Sequence, residues 1–434
     1  MVASGLCALR SPAEPSKPTS DERMLKRWQG RILLFLAVLG PGFITANVDN
    51  DAGGILTYSG AGAQFGYSLL WTILPITIAL IVVQEMCARM GVVTGKGLSD
   101  LIREEFGLRA TFITMVLLLI VNFGLVVTEF IGISGSLGLF HISRFISVPV
   151  CALLVWLLVV HGDYKSVEKV FLAASVFYIA YIISGVLSGP SWREAMLATV
   201  KAPPADVWHT PGYISMTIAV IGTTIAPWMQ FYLQSSVVEK GVAVKDYAAS
   251  RLDVIVGSIF TDVVAWFIVV ACAATLYAHG VGPLNVPADA AEAMKPLAKE
   301  YAYLLFAVGL FNASFFAASV LPISTAYTVC EGLGFESGVD KSFREAPAFY
   351  WLYTLLIAGG AGVVLLPNIH PMKVVVETQV LSGVLLPVIL VMMLLLINRK
   401  DLMGRFVNPR WMNVIAWTTA GVVVLLSVAL MFVG

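Results

Sequence analysis

Two carboxylates, Asp49 and Asp51, stand two residues apart in the stretch Asn47-Val48-Asp49-Asn50-Asp51-Ala52-Gly53-Gly54. The stretch interrupts an apolar segment running from about residue 32 to residue 63, long enough to cross a bilayer. Acids and paired glycines at membrane depth are costly unless they line a cavity. Carbonyls freed by a broken helix, set beside a carboxylate, make an oxygen-only site suited to a hard cation. Asp51 is the first choice of ligand, with Asp49 and Asn50 as its neighbours. Gly53 and Gly54 permit unusual backbone angles and the close approach of a ligand. The alternative is a kinked helix whose polar side chains face a buried neighbour, which leaves two such close carboxylates unexplained.

A second interruption lies in Ile221-Gly222-Thr223-Thr224-Ile225-Ala226-Pro227-Trp228-Met229-Gln230. Pro227 has no N–H for the helix ladder and disfavours helical geometry at Ala226, so carbonyls around Thr223 are released. Further candidates are single polar groups in apolar segments. Glu129 is either protonated and hydrogen-bonded or lines an aqueous path, and Asp262 carries the same two readings. Gln379, opening a later segment with Glu377, either reaches the site by its side-chain oxygen or bonds between helices. Glu85 and Arg89, four residues apart, read as a structural ion pair. Met229 and the other methionines read as packing.

The elements that must position these groups are membrane helices. The chain has 434 residues, 58% of them hydrophobic and 12% charged, with a mean hydropathy of +0.86. That composition describes a multi-span membrane protein. A net charge of zero gives no field for nucleic acid. The five cysteines are dispersed without a C-x-x-C pair, against both a disulfide framework and a thiolate metal site. The five histidines all fall near expected loops, which weakens any haem, zinc or histidine-relay reading. No G-x-S-x-G or H-E-x-x-H occurs, so an intramembrane hydrolase is disfavoured and no enzyme activity is expected.

Apolar segments recur at about 31–63, 67–92, 110–139, 145–160, 167–188, 212–238, 250–277, 301–330, 347–366, 374–397 and 411–433, giving about eleven spans. Residues 1–28 read as a disordered cytoplasmic tail, and 29–434 as one transporter domain. With the N-terminus inside, Lys and Arg divide 21 inside against 6 outside, accounting for all 27. The positive-inside rule therefore puts the N-terminus in the cytoplasm and the C-terminus outside, in the plasma (inner) membrane. Spans one and six are the interrupted ones. Breaks five spans apart are the signature of two inverted five-helix repeats, 31–188 and 212–397, with a midplane site between them and a peripheral helix at 411–433.

Several motifs resemble the Nramp family of divalent-metal transporters. They are Gly40-Pro41-Gly42-Phe43, Asp51-Ala52-Gly53-Gly54, the run from Ala61 to Trp71, Ala226-Pro227, and Tyr232-Leu233-Gln234-Ser235-Ser236. Glu331-Gly332 and Thr378-Gln379-Val380 extend the likeness. The resemblance implies an all-α LeuT-type fold with alternating access. It also implies a metal site of Asp51, Gly54, Thr223, Ala226, Gln379 and Glu129, with the Asp51 carboxylate and the Thr223 carbonyl foremost. The departures are specific. The family's Asp-Pro-Gly-Asn is here Asp51-Ala52-Gly53-Gly54, and its Met-Pro-His is Ala226-Pro227-Trp228. Glu129 matches one family acid of the third span, while Val126 stands where the other would be. This pattern resembles the Nramp-related magnesium transporters.

Coordination chemistry points the same way. A thioether favours soft ions, so its loss reduces discrimination against Mg²⁺, and Mg²⁺ keeps several waters. Gly54 and Ala226 are smaller than Asn and Met and leave room for them. The expectation is a transporter of Mg²⁺, passing Mn²⁺ as well, as a partly hydrated ion without proton coupling. Its partners are the ions and membrane lipid, with no permanent cofactor, no nucleic acid and no obligate protein partner. The alternatives are a proton-coupled Mn²⁺/Fe²⁺ transporter using Glu129, or a LeuT-type carrier of a small organic solute with Asp51 serving Na⁺.

Overall fold

Without water at membrane depth, a spanning segment must satisfy its backbone groups internally. The apolar segments accordingly form helices wherever they are described. A computed structural model describes residues 42, 45, 48–161, 178–287, 289–290, 299–339 and 341–433. The chain divides into Met1–Leu39, outside the described residues, and Gly40–Gly434. The tail expected at 1–28, the first expected span before residue 48 apart from residues 42 and 45, and residues 167–177 of the fifth expected span therefore lie outside the description.

The helices are α1 (Ala52–Phe65), α2 (Ile73–Thr94), α3 (Leu98–Gly138), α4 (Arg144–His161), α5 (Ile179–Leu187), α6 (Trp192–Val200), α7 (Tyr213–Thr224), α8 (Pro227–Glu239), α9 (Tyr247–Thr275), α10 (Lys299–Leu333), α11 (Pro347–Leu365), α12 (Pro371–Ile397) and α13 (Arg410–Val433). Among the described residues, eight helical stretches are long and apolar enough to cross a membrane. Of these, Ala52–Thr94 holds α1 and α2, and Tyr213–Glu239 holds α7 and α8; Arg144–Val160 is a shorter apolar helix. Two boundaries move for local reasons. The third span, expected from residue 110, is preceded by a further helical piece starting at Leu98, and the two meet at a kink where Gly107 leaves helical geometry (φ 79°, ψ 170°). The tenth begins at Pro371, a residue suited to a first helical turn. Glu377 is therefore not at its opening. It is exposed and lies 3.7 Å from Lys373.

Crossings are set by residues too small to hold helices apart. A Cβ on Gly62 would lie 2.5 Å from the Val269 carbonyl of α9. One on Gly222 would run into the Gln379 carbonyl and the Gly383 backbone of α12. Thus α1 packs on α9, and α7 packs on both α12 and α1. The long helices α3 and α10 lie along each other, with α11 and α12 against α3. Outward faces carry apolar side chains such as Phe112, Ile113, Leu117 and Ile120, as a lipid surround requires.

The last helix shows how a peripheral element is held. Met412, Ala416, Ala420 and Val423 form its buried stripe, at spacings that keep to one helical face. Arg89, 4% exposed, donates to Glu85 at 3.0 Å and to the carbonyls of Phe406 and Val407 at 3.0 and 3.3 Å. It also reaches Asn408, while Tyr247 donates to Glu85. The expected Glu85–Arg89 pair is thus the centre of a buried network tying α2 to α9 and to the approach to α13.

Candidate functional site

Asp51 opens α1. Its backbone is extended (φ −70°, ψ −175°) and its carboxylate accepts from the Gly54 N–H at 2.7 Å. A second carboxylate serves the same helix end from another span: Glu129 of α3 accepts from the Ala52 N–H at 3.1 Å. The first N–H groups of a helix have no intrahelical partner and carry the positive end of its dipole, so both acids sit where negative charge is favoured. Glu129 is fully buried and its other oxygen has no partner. Glu129 thus has the break itself as a hydrogen-bond partner.

The second break faces the first. α7 ends at Thr224, and Ala226 is extended (φ −63°, ψ 134°) before Pro227 opens α8. The Thr223 carbonyl would bond the nitrogen of residue 227 in an unbroken helix, but proline has no hydrogen to give. The Gly222 carbonyl instead accepts from the Ser382 hydroxyl at 2.9 Å. A Cβ built on Gly54 would lie 3.5 Å from the Thr223 hydroxyl, which puts the two breaks side by side. The Tyr58 hydroxyl is 2.7 Å from the Thr224 hydroxyl and closes the contact. Asp51, Gly54 and Tyr58 share one face of the helix at three- and four-residue spacing.

Gln379 comes to the same place from α12. Its amide occupies the space over Gly53 where a Cβ would stand, and neither amide atom has a partner. Asp51, Gly54, Thr223 and Gln379 are therefore gathered at one point, with Glu129 directly behind it. Ala226 is 3% exposed and adds no donor atom. Gly54 has a further role, because a Cβ there would also lie 2.6 Å from the Asp49 carbonyl oxygen. Met229 is fully buried in the core. Trp228, also buried, packs on Tyr232 with ring centroids 6.0 Å apart. Val126 packs against Gly360 of α11.

Asp49 lies beside the same break, within electrostatic reach of Asp262 of α9 and of Asp51. Asn50, between the two acids, donates to the hydroxyl and carbonyl of Thr261 at 2.6 and 3.1 Å. Among the described residues no three His, Cys, Asp or Glu side chains converge to hold a metal. The polar groups at the breaks are instead mixed: a carboxylate, backbone carbonyls, an amide and hydroxyls. Sequence reasoning missed the Tyr58–Thr224 bridge and the Ser382 bond. The signal for the first was Tyr58 seven residues after Asp51; nothing local marks the second.

Two cavities flank the breaks along α7 and α8. One of about 510 Å³ is lined by Gly60 and Gln64 of α1, Ser215 and Met216 of α7, and Met372 and Glu377 of α12, among others. The other, about 340 Å³, lies beyond the far end of α8 and is lined by Lys96, Ser235, Glu239 and Glu331, among others. The chain around this second cavity is tied together by Gln234 donating to the Lys96 carbonyl at 2.9 Å and Ser235 donating to Glu331 at 3.1 Å.

A sequence model described as "Natural resistance-associated macrophage protein-like" (Nramp) matches residues 42–433. The divalent metal cation transporter MntH of Klebsiella pneumoniae (strain 342) is 26% identical over 400 residues, 90% of this chain and 93% of that protein. MntH of Deinococcus radiodurans is 26% identical over 443 residues, 96% and 97% of the two chains. Among solved structures, the Eremococcus coleocola manganese transporter superposes with a TM-score of 0.73 at 22% identity, over 91% of this chain and 85% of that one. A nucleobase-cation-symport-1 family transporter, MHP1, superposes with a TM-score of 0.57 at 15% identity, over 91% and 92%. These likenesses show the LeuT-type fold, with two repeats of five spans and broken helices one and six. With 392 of its residues matched from 42 to 433, the chain belongs to the Nramp family.

Proposed function

We propose that this protein carries divalent cations across the membrane, Mg²⁺ foremost and Mn²⁺ as well, as partly hydrated ions and without proton coupling. The observation that carries this reading is the meeting of the two breaks, where the Asp51 carboxylate, the Thr223 hydroxyl and the unpartnered Gln379 amide lie around Gly53 and Gly54, with the Thr223 carbonyl freed by Pro227. All are oxygen ligands, the set that suits hard cations. Ala226 adds no sulfur where the metal-selective pattern has a thioether, so soft ions gain nothing there. Divalent-metal transport by the MntH relatives supports the broader part of the reading.

The cavities at either end of α7–α8 support alternating access. An ion entering beside Gly60 and Gln64 has about nine residues of α1, roughly 13 Å, to travel to Asp51. Onward release requires separating α8 from the Lys96 turn and from Glu331. With the N-terminus in the cytoplasm of the cell, the first cavity opens outward. Two positive charges moving inward gain about 4.6 kcal/mol per 100 mV if they cross the whole field, so the membrane potential alone drives uptake.

The absence of proton coupling rests on Trp228 and Val126, which stand where the metal-selective pattern carries a histidine and an acid. Glu129 remains, and the Ala52 N–H holds it at the first turn of α1. The test is metal uptake into proteoliposomes with a pH dye inside. Mg²⁺ flux with no matching acidification supports the reading. Flux of Mn²⁺ alone, with acidification in step, replaces it by proton-coupled Mn²⁺ transport.

A further inference from the structure

Beside the same break, towards α9, is a second set of unused oxygens. Asn50 is fixed by its two bonds to Thr261, which brings its chain neighbour Asp49 towards Asp262, the neighbour of Thr261. Asp49 is 2% exposed and Asp262 4% exposed. Both Asp49 carboxylate oxygens and Oδ2 of Asp262 have no hydrogen-bond partner. Asn50 is fully buried, and because its amide nitrogen is spent on Thr261, its unpartnered Oδ1 is turned elsewhere. Asp49 is within electrostatic reach of Asp262 and of Asp51. Neither Asp49 nor Asp262 forms an ion pair among the described residues.

Two buried carboxylates without a counter-charge are expensive, and proteins meet that cost by pairing or by coordinating a metal. The free atoms here are all oxygens, with no sulfur or imidazole, which selects a hard cation. We propose that Asp49, Asp262 and the Asn50 side-chain oxygen form a second divalent-cation site, on the α9 side of the break and distinct from the one at Asp51. The choice of ion class rests on the function proposed above: an ion of the transported kind occupies two adjacent positions. Gly54 fits this arrangement, since its missing Cβ lets the Asp49 backbone sit against the first turn of α1.

The experiment is equilibrium binding of Mn²⁺ to the purified full-length chain, counting bound ions by the loss of the free-Mn²⁺ electron spin resonance signal. The expected result is two Mn²⁺ per chain. Asp51→Asn should keep one, Asp262→Asn should keep one, and the double variant should bind none. Melting curves on the same samples report folding, and the Mn²⁺-induced rise in melting temperature should be smaller in each single variant than in the wild type. One Mn²⁺ per wild-type chain, lost entirely in Asp51→Asn, overturns the second site while leaving the transport reading intact. This outcome needs no substitution at Asp49 or Asp262. No Mn²⁺ bound by the wild type overturns both.

Discussion

The Tyr58 hydroxyl lies 2.7 Å from the Thr224 hydroxyl, joining the first turns after one helix break to the last turn before the other. Thr224 also donates to its own helix, to the Val220 carbonyl at 2.8 Å, so it stays satisfied if Tyr58 is truncated. Tyr58→Phe should therefore lower stability by only about 1 kcal/mol, the net worth of one hydrogen bond, while slowing transport more than stability predicts. Melting and flux on the same preparation check this. A flux unchanged from wild type would mean that the bridge plays no part in the cycle.

Asp51→Ala should abolish divalent-cation uptake in a protein that still inserts and folds. The loss of its cap on Gly54 costs about 1 kcal/mol, too little to unfold a bundle of this size. Wild-type uptake by a folded Asp51→Ala protein would remove Asp51 from the site.

Much of this arrangement was legible in the sequence, for identifiable reasons. Pro227 announces a break because it has no N–H, and Asp51 beside Gly53 and Gly54 announces another because acids at membrane depth need a cause. The span pattern follows from the thickness of a bilayer, and α1 to α13 follow it closely. What was not legible comes from contacts across the chain. Glu129 reads equally as a protonated side chain or a path-lining one, and only the fold shows that it meets the Ala52 N–H at the break. Gly54 reads as space for water, whereas it also seats the Asp49 carbonyl. Arg89 reads as half of a local pair, yet its carbonyl and Asn408 partners come from residues 406–408, more than three hundred positions away.

The place of Gly54 decides how selectivity should be altered. Introducing Asn there would drive its Cβ into the Asp49 carbonyl, 2.6 Å away, so that change should perturb the break. Ala226→Met adds a soft sulfur without that collision. It should move relative affinity from Mg²⁺ towards Cd²⁺ about tenfold, or about 1.4 kcal/mol. Calorimetric titration with both ions measures the ratio, and an unaltered ratio would mean that selectivity is set elsewhere.

Gly222→Ala should be among the most damaging small substitutions. Its Cβ would meet the Gln379 carbonyl and the Gly383 backbone, and backbone cannot swing aside as a side chain can. A destabilisation of about 1–3 kcal/mol is expected from overpacking at such a crossing, together with weaker ion binding as Gln379 is displaced. Thermal melting and Mn²⁺ titration report the two effects. A neutral outcome in both would show that α7 and α12 are free to separate.

The central claim is that the two breaks hold a hard cation and move it without a proton. Its most direct test is simultaneous recording of Mg²⁺ entry and internal pH in proteoliposomes under an inside-negative potential. The account predicts Mg²⁺ entry that rises with the potential, is lost in Asp51→Ala, and leaves the internal pH at the leak rate. Acidification in fixed proportion to metal entry, or an absence of Mg²⁺ entry where Mn²⁺ enters readily, would contradict it.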